Sequence, residues 1–225
     1  MDTEKKSLRE MAYSSIKESI ITCKYPPRMV LSEEILQNDL GVSRTPIRDA
    51  LGRLEHEGLI VIMPKKGIYV MPLSISDVDS FYEVRKLIEP YIIRTHGKDI
   101  DKDKLISLQQ RHLAMLTNYQ MEGDSPEFQK MVHDLDDELH HIIATATTNK
   151  YFREMYDKVF SHNARFGYLV GKQAPNRTYD TILEHLSIIQ FLLKEDWDSA
   201  ASKLIAHLDV SHEASMLLIE NSDMV

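Results

Sequence analysis

Residues 133–140 read His-Asp-Leu-Asp-Asp-Glu-Leu-His, with Asp136 and His140 four residues apart. On an α-helix that spacing puts both side chains on one face, as two ligands of a single metal ion require. His133 and Asp137 share the spacing and compete for the role. Two later histidines sit in apolar stripes, His185 beside Ile182, Leu186 and Ile189, and His207 beside Leu204 and Leu208. Taken singly, a histidine on an apolar face is more often a packed core residue. Three histidines and an aspartate facing one helical interior argue instead for a divalent metal. Imidazoles with a carboxylate suit Zn, Ni, Mn or Fe, and an octahedral ion on four protein ligands keeps open positions for a further carboxylate.

A second group of residues suits a different chemistry. Ile47, Ala50, Leu51 and Leu54 recur at i, i+3, i+4 and i+7, which predicts a helix burying that stripe and leaving Arg44, Arg48, Asp49, Gly52 and Arg53 off it. Two arginines one turn apart near a helix N-terminus suit the DNA major groove, where guanidinium binds guanine O6 and N7. Ser43, Thr45 and the helix N-terminal N–H groups suit a phosphate. Lys65 and Lys66, at a Pro-Lys-Lys-Gly turn, would reach the DNA backbone or the minor groove beside it.

These residues need elements to hold them. Helical patterns cover about 7–23, 33–39 and 44–57, and residues 59–72 (LIVIMPKKGIYVMP) predict a hairpin of two short strands. Leu40-Gly41-Val42-Ser43 predicts the turn between the second and third helices, with a positive φ at Gly41 and Ser43 or Thr45 as the next N-cap. From residue 76 on, amphipathic segments fall at 76–96, 101–121, 125–147, 149–171, 175–194 and 196–220. The predicted fold is therefore mainly α: a winged helix-turn-helix of three helices and a two-stranded wing over 1–75, then an all-α bundle of about six helices over 76–225.

The formal charge of −8 on 225 residues argues against a polyanionic partner only while the chain is treated as uniform. Residues 1–75 carry 11 Lys+Arg against 10 Asp+Glu, and residues 76–225 carry 16 against 25. The acidity belongs to the bundle, whose charge would be repelled by a DNA backbone. The single Cys23 forms no internal disulfide, and no apolar run approaches membrane-spanning length, so a cytoplasmic protein with no membrane partner is expected.

The run GVSRTPIRDALGRLEHEGLIVIMPKKGIYV, residues 41–70, resembles the DNA-binding signature of GntR-family bacterial transcription regulators. The resemblance implies that Arg44 and Arg48 read bases, Ser43 and Thr45 contact phosphate, and Lys65, Lys66 and Gly67 belong to the wing, with Arg53 a weaker candidate. Glu34 stands where several members carry a basic contact, and no contact is assigned to it. Residues 76–212 resemble the FCD ligand-binding domain of the FadR-like branch, whose metal-containing members show Asp-x3-His on one helix and a histidine on each of two later ones. Asp136, His140, His185 and His207 match these positions, with Leu139 replacing the usual aromatic. The FYEVRKLIEP run at 81–90 resembles that domain's first helix. There Arg85 either faces the pocket and pairs with an effector carboxylate or forms an ion pair with Glu89; Asn163 and Arg165 are further effector candidates. Six helices rather than seven would place the chain nearer the VanR-type subgroup.

The function expected from this reading is a homodimeric repressor, not an enzyme. It would bind an inverted-repeat DNA operator and respond to a small carboxylate metabolite held at the metal. The alternatives are a metal-dependent, hydrolase-like enzyme using the Asp/His/His/His site, and a bundle that serves dimerisation alone with structural histidines.

Overall fold

The structure, a computed structural model, describes residues 7–72, 74–122, 125–156, 165 and 175–220. It divides into two compact units between residues 73 and 74.

The first unit runs α1 (Leu8–Ile21), β1 (Val30–Leu31), α2 (Glu33–Leu40), α3 (Arg44–His56), β2 (Ile60–Met63) and β3 (Gly67–Val70). Ser32 starts α2 by accepting a hydrogen bond from the Ile35 N–H at 3.1 Å. Gly41 ends it in the left-handed region at φ 65, the conformation a helix-terminating glycine adopts without a Cβ penalty. Ser43 is the N-cap of α3, and Pro46 lies in its first turn, where a missing N–H costs no helical bond. The predicted stripe of Ile47, Ala50, Leu51 and Leu54 is buried in one core with Ala12, Ile16 and Ile20 of α1 and Leu36 of α2.

The hairpin is antiparallel, with Ile60 opposite Val70 and Met63 opposite Gly67. The two expected wing strands are joined by a third that was not expected: Val30–Leu31 pairs with the other side of β3 to give the order β1-β3-β2. Two residues are too short to show an alternating pattern in sequence. Their approach also accounts for Gly67: at φ 111 it faces β1 so closely that a Cβ would fall 2.8 Å from the Leu31 carbonyl oxygen.

The second unit contains α4 (Ile75–His96), a 3-10 turn (Gly97–Asp99), α5 (Lys102–Glu122), α6 (Pro126–Thr145), α7 (described over 150–156), α8 (Pro175–Leu193) and α9 (Trp197–Glu220). Ser74 and Asp77 close a capping box at the start of α4. Ser125 caps α6, with Pro126 as its first residue. Helix α4 packs on α9 and α6, and α8 packs on α9, α5 and α6. Their apolar stripes bury Phe81, Ile92, Leu105, Leu108, Leu139, Ile143, Ile189 and Leu204. The predicted segment 149–171 lies mostly outside the described residues. Among the described residues no helix is long and apolar enough to cross a membrane.

Gly97 marks a close approach of another kind. A Cβ there would lie 2.4 Å from an indole carbon of Trp197, the first residue of α9. Gly97→Ala must displace that rigid ring and is expected to destabilise the second unit by about 1–3 kcal/mol, read as a lowered thermal midpoint in calorimetry.

Candidate metal centre and nucleic-acid interface

Helices α6, α8 and α9 bring the four expected ligands to one point. Asp136 Oδ1 lies 3.1 Å from His185 Nε2, 3.6 Å from His207 Nε2 and 3.7 Å from His140 Nε2. His207 Nε2 lies 3.3 Å from His140 Nε2 and 3.4 Å from His185 Nε2. Donors bonded at about 2.1 Å to one ion stand about 3.0 Å apart at right angles and about 3.4 Å apart at the tetrahedral angle. The observed separations have this size, so the donor set fits a single divalent ion.

Two glutamates decide which ring nitrogens face inward. Glu89 Oε2 lies 2.5 Å from His140 Nδ1, and Glu184 Oε2 lies 2.7 Å from His207 Nδ1. An ionised carboxylate only accepts, so each Nδ1 carries a proton, and a ring that is neutral then turns its Nε2 lone pair inward. Arginines compensate both glutamates: Arg85 Nε donates to Glu89 Oε1 at 2.6 Å, and Arg177 donates to both Glu184 oxygens at 2.7 Å. Arg177 also donates to Ser211 Oγ at 2.8 Å. The His140, His185 and His207 side chains are 0–2% exposed and that of Asp136 is 17% exposed, so the site opens beside Asp136.

The electrostatics follow from this geometry. Burial pushes His185 down to about 3. Burial also opposes charge on His140, but Glu89 and Asp136 outweigh it and its pKa is raised. The Asp136 carboxyl stays well below its usual range: burial works against it, and the charge of His140 beside it prevails. Glu184 is lowered to about 2 because hydrogen bonds from His207 and Arg177 overcome its burial.

The competing ligands behave differently. His133 Nε2 and Asp137 Oδ2 are 3.6 Å apart on α6, and burial raises Asp137 to about 6. The histidines of α8 and α9 meet Asp136, which selects Asp136 over Asp137. Of the effector candidates, Arg85 is buried and forms the ion pair with Glu89 while lying over the Phe81 and Tyr82 rings. Arg165 is buried at 1% exposure, and Asn163 lies outside the described residues.

In the first unit Ser43, Arg44, Thr45 and Arg48 are exposed at the start of α3. The Ser43 hydroxyl makes no capping bond. Side chains of α2 hold both arginines through Nε: Gln37 Oε1 accepts from Arg44 at 3.3 Å and Glu33 Oε1 from Arg48 at 2.7 Å. The Arg48 bond keeps the Glu33 carboxyl below its ordinary range. Lys65, at φ 62, and Lys66 form the exposed hairpin tip. A cleft of about 430 Å³ lies between α3 and the wing, lined by Glu33, Arg48, Pro64, Lys65 and Gly67 among others.

Arg53 stands apart from the other two arginines. At about 100° per residue it is half a turn around α3 from Arg44. Its guanidinium lies 3.5 Å over the Tyr13 ring and donates to Glu10 at 2.8 Å, so it fastens α3 to α1. Sequence reasoning missed Glu184, Arg177, Glu33, Gln37 and His112. For His112 a signal was present: it continues the buried spacing of Leu105, Leu108 and Met115 on α5.

The profile described as FCD domain matches residues 80–210, and that described as "Bacterial regulatory proteins, gntR family" matches residues 8–70. The HTH-type transcriptional repressor RspR of Escherichia coli is 25% identical over 219 residues, covering 96% of this chain and 92% of that one. An HTH-type transcriptional regulator of Agrobacterium vitis is 41% identical over 78 residues, covering 35% of this chain and 46% of its own length. Two solved structures share the fold: E. coli McbR/YncC, with TM-score 0.76 at 18% identity, and a GntR transcriptional regulator from Rhodococcus sp. RHA1, with TM-score 0.73 at 16% identity. Each comparison covers 95% of this chain and 98% of the other.

The raised pKa of His140 fixes the sign of a pH effect. Its charged form stabilises the fold fully below the ordinary histidine value of 6.5, and that contribution is lost as pH rises through the raised value. His185, lowered to about 3, acts oppositely, removing stability as pH falls below 6.5. Chelator-treated protein is therefore expected to lose urea resistance as pH rises above about 6.5. His140→Gln should flatten that limb and leave the acid limb in place.

Proposed function

Because the chain belongs to the gntR family of bacterial regulatory proteins and is a DNA-binding transcriptional regulator, not an enzyme, we propose that it is a cytoplasmic, homodimeric repressor. In this reading a small carboxylate metabolite, bound at a divalent metal in the FCD domain, controls its hold on an inverted-repeat operator. The observation that carries the reading is the convergence of Asp136, His140, His185 and His207, with lone pairs directed inward by Glu89 and Glu184. A bound Zn, Ni, Mn or Fe ion supplies positive charge and coordination positions for an anion. The chain's own residues hold the site dry on the histidine side and keep it open beside Asp136; Arg85 is engaged by Glu89, which leaves Arg165 as the buried cation for the effector's carboxylate.

On the DNA side, Arg44 and Arg48 read base edges, Ser43 and Thr45 hold phosphate, and Lys65, Lys66 and Gly67 place the wing. Dimerisation is supported by exposed apolar side chains of the FCD domain: Leu87 and Tyr91 on α4, 68% and 48% exposed, and Tyr151 and Met155 on α7, 68% and 40% exposed. The Tyr91 and Phe152 rings, 5.6 Å apart, join the two helices. Two-fold pairing of chains matches two half-sites of an operator. The effector acts only as far as it prefers one arrangement of the dimer over another.

The test is fluorescence anisotropy on an operator selected from random duplexes, repeated with zinc-loaded and chelator-treated protein and a panel of small carboxylic acids. Arg44→Ala and Arg48→Ala are each expected to cost about 1–3 kcal/mol at the selected site, and binding should weaken steeply with salt. An acid that shifts DNA binding of zinc-loaded protein should lose its effect in His185→Ala. Selective binding that survives both arginine replacements, or an acid response that ignores the metal, would contradict the proposal.

A further inference from the structure

His112 of α5 is fully buried and is not one of the four converging donors. Its Nδ1 lies 2.8 Å from the carbonyl oxygen of Leu108, one turn earlier on the same helix. Its Nε2 lies 3.1 Å from Nδ1 of His185, whose Nε2 meets Asp136 at the site. The protons along this chain have one consistent order. A backbone carbonyl oxygen only accepts, so His112 Nδ1 carries the proton and, in the neutral ring, Nε2 presents a lone pair. That lone pair can be satisfied only if His185 donates to it from Nδ1, which leaves His185 Nε2 without a proton and facing the donors. The opposite order would set two lone pairs against each other at 3.1 Å between side chains with no exposed surface, and would turn an N–H into the site.

We infer that His112 is a positioning residue for the metal centre: it relays the orientation of the Leu108 carbonyl to His185 and holds that ring in the metal-binding tautomer. Glu89 and Glu184 do the same for His140 and His207 through charge. His112 does it through a neutral ring on a fourth helix, so the α5 backbone takes part in shaping a site that has no ligand on α5. This inference rests on the metal reading proposed above.

The experiment compares full-length wild type, His112→Gln and His112→Phe for Co2+ binding by chelator competition, with the d–d absorption band as a second readout. Gln can place an amide oxygen near the Nε2 position and accept from His185, whereas Phe fills the volume and accepts nothing. H112Q should bind Co2+ within a few fold of wild type. H112F should bind about tenfold to hundredfold more weakly, the usual effect of removing a partner that orients a ligand, with a shifted absorption band. Equal affinity and an unchanged band in H112F would overturn the inference, as would H112Q being as weak as H112F, which would show packing rather than acceptance to be what matters. Long-range 1H–15N spectra of the zinc-loaded wild type decide the matter even if a variant fails to fold. A proton on Nδ1 of His112 supports the relay, and a proton on its Nε2 refutes it. Wild type that takes up neither Zn2+ nor Co2+ would remove the metal reading itself, an outcome separate from any difference among the variants.

Discussion

One carboxylate oxygen meeting three imidazole nitrogens in a dry interior is the constraint around which the second unit is arranged. Lone pairs set 3.1–3.7 Å apart repel unless positive charge lies among them, and burial removes the water that would otherwise screen them. Everything next to the four donors serves that demand. Arg85 and Arg177 offset the charge of Glu89 and Glu184, and the glutamates in turn orient His140 and His207. Breaking one partner of such a network strands the others in low dielectric, so the cluster couples α4, α5, α6, α8 and α9 more tightly than apolar packing alone would. The proposed control by a ligand would need an element with this kind of stiffness, because a soft core would absorb the change locally.

The first unit solves a different problem with exposed charge. Its core is apolar, and its arginines are held at the surface through single nitrogens by Glu33 and Gln37. Such exposed bonds are worth little to stability, which suits the exchange of partners for a phosphate or a base that the proposed DNA contacts require. The net acidity of residues 76–225 complements this arrangement by discouraging non-specific contact between that unit and the DNA backbone.

Much of this was legible in the residues. The i, i+4 spacing on α6 and the apolar settings of His185 and His207 pointed to the cluster, with His133 and Asp137 still competing until the resemblance singled out Asp136 and His140, and the stripe of Ile47, Ala50, Leu51 and Leu54 located the buried face of α3. What stayed hidden depended on contacts between segments far apart in the chain. Glu184 orients a ring 23 residues away, and no local pattern distinguishes it from any other residue on its helix; His112 shows itself as buried by the spacing of α5, but not that it meets a ring 73 residues away. Arg53, the weaker of the candidates that the resemblance implies, shows what spacing leaves open: a helix has more than one exposed side, and the side carrying Arg53 faces Tyr13 and Glu10. The β1 strand was invisible because two residues have no period.

The central claim is that one divalent ion sits among Asp136, His140, His185 and His207, and X-ray absorption at the metal edge of protein purified without added chelator tests it most directly. The expected result is close to one metal per chain, with three imidazole nitrogens and at least one oxygen at about 2.0–2.2 Å. Less than a tenth of an equivalent of metal after zinc reconstitution, or a sulfur scatterer that places the ion at Cys23, would contradict it.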